Sequence, residues 1–298
     1  MSAIAGAYRF TAARMADLMT VCPPLEKPFV WMGGKVWTWP RAGRLYRSVA
    51  GRYAARLRER ANCFRDVDVA GIRLTVDVTE FTTSTLYFGR TPYEPQTTDF
   101  LRRALGPGSV FVDVGASHGY FTLIAGALVG PGGRVIAFEP NPDVASQLDA
   151  HVAANGFAER IVVRREALAE APSADREFFV SRDADNSGLS TLTPDAADLA
   201  SGLLSPAHTV RVAVNTFDRW RVAAGLARID LVKIDTEHAE DLVVGGMAES
   251  LACGCVERVV CETTPASRAH RMLCDAGFVP ATLDTAAALS NMGYVRRR

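Results

Sequence analysis

The chain has 298 residues, 48% of them hydrophobic, and its 33 Lys and Arg balance 33 Asp and Glu to leave no formal net charge. That length allows one large domain or a domain with an extension, and the apolar share is enough for a sizeable core. Balanced charge argues against a nucleic-acid binder, which carries a basic excess, and no stretch approaches the ~20 apolar residues of a membrane span.

Met1 to Thr20 sets Arg9 and Arg14 among small apolar residues, without the continuous apolar core and cleavage site of a signal peptide. A cytoplasmic chain is therefore expected. Residues 1–66 read as a mainly helical extension, broken at Pro23-Pro24 and Gly33-Gly34. Within it, Arg41 to Arg60 reads as a helix with an apolar stripe of Tyr46, Val49, Tyr53 and Leu57. Arg41, Arg44, Arg47, Arg52, Arg56, Arg58 and Arg60 surround that stripe. The plain reading is a solvated basic face on a docked helix; the sharper one is a landing patch for an anionic carrier or substrate. The stripe itself could serve a homodimer.

Residues 67–298 are expected to form one domain. Val67 to Asp77 alternates as a hairpin, and a short helix follows through Leu105. Strands and helices then alternate. Strands are predicted at 110–114, 134–139, 161–165, 229–234, 256–262 and 278–283, and helices at 119–129, 143–155, 238–252 and 266–276. This pattern predicts an α/β fold with a parallel sheet covered on both faces, and Ala288 to Val295 adds an antiparallel edge strand.

Val110 to Phe121 carries the first chemical signal. An apolar strand bearing Asp113 breaks into the small-residue turn Gly115-Ala116-Ser117-His118-Gly119 and enters a helix. Strand, glycine turn and helix form a nucleotide-binding opening. A pyrophosphate would be repelled by Asp113, whereas the ammonium and sulfonium of S-adenosyl-L-methionine (SAM) would be held. The glycine spacing also departs from the dinucleotide fingerprint, and no Lys-Ser or Lys-Thr pair marks a phosphate loop. Gly115 and Gly119 allow close backbone approach, and Ser117 can donate to the methionine carboxylate. The next strand ends in Glu139, about 20 residues after Gly119, where a carboxylate accepts from ribose hydroxyls. Glu139 could also serve only as a helix N-terminal charge.

Residues 181–210 interrupt the alternation with turn-like sequence and with Thr193-Pro194 and Ser205-Pro206. A loop this long reads as a substrate lid or as an inert surface insertion. A second cluster follows where the strand Ile229 to Ile234 runs into Asp235-Thr236-Glu237-His238. Asp235 closes an apolar strand and so faces the ligand crevice, whereas Glu240 and Asp241 suit the first turn of a helix. His238 and His118 are the histidines in these crevice turns, and a neutral imidazole can take a hydroxyl proton. His118 could instead pack behind the methionine tail. The Asp235/Glu237 pair could hold a magnesium ion, but a metal-free site is the favoured reading. Among the six cysteines, Cys253 and Cys255 are too close for an ordinary bridge and no C-x-x-C pair occurs, so buried thiols in a reducing compartment are expected.

Taken in order, several of these pieces resemble the FkbM-type family of class I SAM-dependent methyltransferases. They are Tyr93-Glu94-Pro95, Phe111 to Ala116, Gly119 to Thr122, Ala137-Phe138-Glu139-Pro140-Asn141-Pro142, and Val232 to Asp235 with Glu237, Ala239 and Glu240. The resemblance covers roughly residues 70–285. It implies a Rossmann-like sheet of seven mostly parallel strands with an antiparallel edge, SAM as cofactor, and O-methylation of sugar or polyketide hydroxyls in secondary metabolism. By the same resemblance, Glu94, Ala116 and Asn141 are cofactor-side positions, and Glu166-Ala167 lies where class I enzymes contact adenine. The family usually has Asn-Ile-Gly where this chain has Ser117-His118-Gly119, and Glu-Gly-Ala where it has Glu237-His238-Ala239. Both departures place a histidine in the crevice, and the base is ranked His238, then Asp235, then His118. Competing readings are an N-methyltransferase, an NAD-dependent oxidoreductase and a non-catalytic SAM-binding protein.

Overall fold

The structure, a computed structural model, describes residues 2–181, 187–283 and 290–297. The chain divides into two compact units after Tyr93.

The first unit holds helices α1 (Ser2–Val21), α2 (Glu26–Val36) and α3 (Ala42–Glu59), then the hairpin β1 (Phe64–Val69) and β2 (Ile72–Asp77), then α4 (Phe81–Ser84) and a π-helical turn, Thr85–Gly89. Helix α3 buries Tyr46, Val49, Ala50, Tyr53, Ala54 and Leu57, positions three and four apart that form one face. The basic residues stand outside it, with Arg44, Arg47, Arg52 and Arg58 exposed and Arg56 paired with Asp17. The apolar stripe is thus consumed inside its own unit, so it offers no dimer face. The hairpin buries Val67 and Val69 on one arm and Ile72, Leu74 and Val76 on the other. Glu26, also buried, accepts Tyr53 Oη at 2.6 Å, Arg65 Nε at 2.6 Å and the Tyr87 hydroxyl. These donors outweigh the burial that would raise its pKa, and hold it below the usual carboxylate value.

The second unit begins with α5 (Pro95–Ala104) and continues through β3 (Val110–Val114), α6 (Tyr120–Val129), β4 (Arg134–Phe138), α7 (Pro142–Ala154) and β5 (Ile161–Arg164). Next come β6 (Glu166–Leu168), β7 (Ser173–Phe179), α8 (Ala196–Ser201), β8 (Thr209–Asn215) and α9 (Phe217–Ala223). The chain closes with β9 (Leu231–Ile234), α10 (Glu240–Gly245), α11 (Ala248–Ala252), β10 (Arg258–Thr263), α12 (Arg268–Asp275), β11 (Phe278–Thr282) and β12 (Ser290–Arg296). Seven strands form one sheet in the order β11-β12-β10-β9-β3-β4-β5. Pairing is parallel from β10 to β5, which is why β3, β4 and β9 are nearly continuous apolar runs buried on both faces. The antiparallel strand β12 does not lie outermost: it inserts between β10 and β11 and pairs with both.

Further differences from the sequence reading have local causes. The run expected at 161–165 is β5, and directly after it an unanticipated β6 leaves the main sheet to pair with β8, while β7 pairs with β8 from the other side. Neither β7 nor β8 was anticipated: Ser173 to Glu177 holds no apolar side chain larger than Ala174, and Val210, Val212 and Val214 alternate across the end of the segment read as a lid or an insertion. The helix expected over 238–252 is interrupted at Gly246-Met247, between α10 and α11, where a β-carbon on Gly246 would lie 2.3 Å from the Ala169 carbonyl oxygen and so only glycine fits. Cys253 and Cys255, expected as free thiols, form a disulfide: the turn through Gly254 brings their Cα atoms to 5.5 Å, inside bridging range. Of the other four cysteines, Cys261 is fully buried and Cys22 is exposed. Among the described residues, no helix is long and apolar enough to cross a membrane.

Candidate active site

The carboxyl ends of β3, β4 and β9 converge on a cleft of about 610 Å³, open mouth included. Its apolar lining comes from Val114, Phe138, Val144, Leu168, Phe178 and Leu192, and its polar lining includes Ser117, Glu139, Asn141, Glu166, Asp235 and Glu237.

The turn after β3 is pinned from several directions. Gly115 N and Ala116 N both donate to the Phe138 carbonyl at 3.0 Å, which ties the turn to the end of β4. Gly115 has φ +81°, and a β-carbon there would stand 1.8 Å from the Asp235 carbonyl oxygen, so only glycine lets β3 and β9 close up at this point. Ser117 N donates to Glu139 Oε2 and Asn141 N to Glu139 Oε1, each at 2.9 Å. Asn141 in turn caps α7 by accepting from Asp143 N at 3.1 Å. Burial raises the Glu139 carboxyl to about 7 despite those two amide donors.

Asp113 is 1% exposed and does not line the cleft. Its Oδ2 accepts Thr122 Oγ1 at 2.6 Å, while Oδ1 is buried with no hydrogen-bond partner. Burial raises its pKa against the opposing field of Lys233. Lys233, the charged residue inside β9, places Nζ 2.8 Å from Asp235 Oδ2 and 4.8 Å from the Phe121 ring centroid. Burial disfavours its charge, but Asp235, Asp113 and Glu94 together outweigh that and raise its pKa. Glu94 caps α5 in a left-handed conformation, φ +39°, and its Oε2 accepts Asn291 Nδ2 at 2.8 Å.

The turn after β9 gathers acids. Asp235, Thr236 and Glu237 line the cleft, and Glu240 Oε1 accepts Thr236 N at 2.7 Å and Thr236 Oγ1 at 2.9 Å. Burial first, and the neighbouring Asp235 and Glu240 second, raise Glu237 to about 8. Glu262, at the end of β10 beside Asp235, is raised to about 9 by burial and by Asp235, Glu237 and Glu240.

The expected histidines sit elsewhere. His238, with φ +77°, is exposed and turns its Nε2 towards Asp195 and Asp198, 3.9 Å from each. His118 offers its carbonyl to His151 Nδ1 at 2.9 Å. Neither lines the cleft. Glu166 and Ala167 do line it, and so do Gly188, Ser190 and Leu192 from the segment read as a lid or an inert insertion. Residues 182–186 of that segment lie outside the described residues. The described part is ordered by pairing: Thr191 bridges Phe179, and Thr191 Oγ1 reaches the Thr236 carbonyl at 3.4 Å.

Compared with known families, residues 113–295 match the methyltransferase FkbM domain. The chain belongs to the FkbM methyltransferase family. It is thereby a SAM-dependent methyltransferase on an α/β sheet, and the cleft lies at the carboxyl ends of the strands, where open α/β sheets in general bind ligands. A search of curated proteins finds no match. Among solved structures, methyltransferase FkbM from Methylobacillus flagellatus is 16% identical with a TM-score of 0.42, over 90% of this chain and 58% of that one. A SAM-dependent O-methyltransferase from Thermotoga maritima is 12% identical with a TM-score of 0.37, over 68% and 66%. An rRNA methylase described as putative, from Clostridium thermocellum, is 9% identical with a TM-score of 0.40, over 68% and 93%.

Within this FkbM-family site, several contributors had no residue-level reading in the sequence, although Ser190 and Leu192 fall in the segment read as a lid or an insertion. Phe178, Ser190 and Leu192 come from β7 and the segment after it, where no local pattern marks a ligand. Glu262 had a usable signal, since it is an acid closing an apolar strand as Asp235 is. Lys233 was visible as the charge inside an otherwise apolar run.

Proposed function

We propose that the chain transfers the methyl group of SAM to a hydroxyl oxygen of a small molecule, a sugar, nucleoside or polyketide-type metabolite of secondary metabolism such as antibiotic biosynthesis. The observation that carries this reading is the division of the cleft lining: one cavity holds an apolar wall, the ribose-type acid Glu139, and the acids Asp235 and Glu237. An apolar wall suits an adenine ring, and a carboxylate at the end of β4 suits ribose hydroxyls. The acceptor is read as a diffusible cytoplasmic molecule, neither nucleic acid nor membrane lipid.

The residues fit the cofactor. Glu139 keeps lone pairs beyond those taken by Ser117 N and Asn141 N, so it can accept from ribose. Glu166, Ala167, Leu168 and Phe178 would flank the adenine, and the Gly115–Ser117 backbone would run beside the methionine tail. Asp113 acts from behind the turn, through Thr122 and Lys233. When bound, the cofactor supplies a methyl group already activated by its sulfonium.

The protein's task is to orient an acceptor oxygen in line with that methyl and to remove its proton. Glu237 and Asp235 take this role ahead of His238. A carboxyl raised to about 8 is, in its ionised fraction, a stronger base than an ordinary one, and Lys233 holds Asp235 in place. Gly188, Ser190 and Leu192 would exclude water from the bound pair.

The same excess of carboxylates would suit an acceptor bearing an ammonium, which supports N-methylation as a second reading. Calorimetry with SAM and with NAD tests the cofactor: SAM should bind and NAD should not. A labelled methyl donor offered to matched alcohol and amine acceptors tests the rest. Label entering amines alone would replace the oxygen reading, and NAD binding in place of SAM would end both.

A further inference from the structure

A second requirement is written into the acid turn. Asp235, Glu240 and Glu262 each present one carboxylate oxygen, and those oxygens lie within 4.8 Å of one another. Two oxygens bound to one ion at 2.0–2.6 Å can be at most about 4–5 Å apart, so the three can share a single cation. The set remains free to ligate. Glu240 uses Oε1 for Thr236, Asp235 uses Oδ2 for Lys233, and each keeps a second oxygen.

An independent feature lies beside them. Asn291 is 8% exposed and stands opposite Glu262 in the β10–β12 ladder, so both side chains share one face of the sheet. Its Nδ2 is committed to Glu94 Oε2, which leaves Oδ1 buried and without a hydrogen-bond partner. A buried amide oxygen left unmet forfeits its hydration with nothing in return. Across the ladder Asn291 stands opposite Glu262, whose carboxylate cannot donate to Oδ1 once ionised. A cation satisfies both the orphan oxygen and the acids.

We propose that Asp235, Glu240 and Glu262, with the Asn291 amide oxygen beside them, form a binding site for a hard divalent cation at the edge of the cleft. The all-oxygen donor set selects magnesium, manganese or calcium over softer metals. Charge agrees: Asp235, Glu237, Glu240 and Glu262 act on one another against the single ammonium of Lys233. With all four acids ionised, a divalent ion would leave that group one charge from neutral. The binding of the ion stands apart from the methyl-transfer reading. Its use does rest on that reading: an ion on Asp235 would lower the pKa of an acceptor hydroxyl beside it.

The test is manganese titration of the chelator-treated, full-length protein, followed by electron paramagnetic resonance, with SAM calorimetry on the same samples. One manganese per chain is expected, and its affinity should fall at least about tenfold in Glu262→Gln and in Glu240→Gln while SAM binding persists. Crystals soaked in manganese supply a readout independent of the variants, with an anomalous peak between Asp235, Glu240 and Glu262. No saturable manganese binding, or a peak elsewhere, overturns the proposal. Failure of SAM to bind is read separately and counts against the methyltransferase cleft alone.

Discussion

Gly115 and Asp235 approach so closely that a β-carbon on Gly115 would stand 1.8 Å from the Asp235 carbonyl oxygen. The two turns that carry the site, after β3 and after β9, are therefore locked to one another through backbone. Gly115→Ala would meet that carbonyl and also force a side chain onto φ +81°. Left-handed strain and overpacking together are expected to cost about 2–5 kcal/mol. Gly108 has a similar φ of +84° with nothing within 4 Å, so Gly108→Ala isolates the strain and should cost about 1–2 kcal/mol. Urea midpoints of the two variants check the difference, and equal losses would refute the locking.

The position of His238 bears on the base. With the imidazole turned towards Asp195 and Asp198, His238→Ala should change kcat by less than about threefold. Glu237→Gln and Asp235→Asn should each lower kcat by about 10²–10⁴-fold with a smaller change in the SAM dissociation constant. Steady-state kinetics on all three variants decide the matter; a large loss confined to His238→Ala would restore the imidazole as base.

Lys233 is 2% exposed and faces Asp235 and Asp113. Lys233→Met keeps the volume and removes the charge, leaving two acids uncompensated. Breaking a buried pair from one side costs about 3–5 kcal/mol. Thermal denaturation should show the loss at pH 8 and a partial recovery at pH 5, where the stranded carboxyls can hold protons. A pH-independent loss would mean that packing, not charge, is the cause.

Stability should depend on pH in an unusual direction. Glu237 is raised from 4.5 to about 8, and Glu139 from 4.5 to about 7. A carboxyl with its pKa raised in the folded state binds more protons folded than unfolded. Its contribution is full below about 4.5 and declines as pH rises towards the folded value. Glu26 works in the opposite sense, since its lowered pKa makes its contribution vanish in acid. The difference between the parent and Glu237→Gln therefore isolates the effect. The stability gap between them should change steadily from pH 5 to pH 8, as read by urea midpoints. A constant gap would contradict the raised carboxyl.

Legibility in the sequence followed the range of the interactions. The strand-turn-helix at Val110 to Phe121, the acid closing β4 and the acid closing β9 were all readable, because an apolar run ended by a carboxylate is a local pattern. Helix α3 was readable within a residue at either end, since its stripe repeats every three to four positions. The role of Asp113 was less so. The same residue that marks the motif is turned inward to Thr122 and Lys233, and the sequence does not say which face of β3 the cleft occupies.

What the chain determined by itself was the alternation of elements, the glycine turn and the presence of acids at strand ends, since backbone propensity and periodic burial act over a few residues. Tertiary structure decided which acids meet. Glu94 and Asn291 touch across 197 residues, and Glu262 joins Asp235 only because β10 lies beside β9 in parallel register. Sheet order sets those neighbours, and no local sequence signal encodes it, because the free energy that selects one order comes from burying the whole sheet at once.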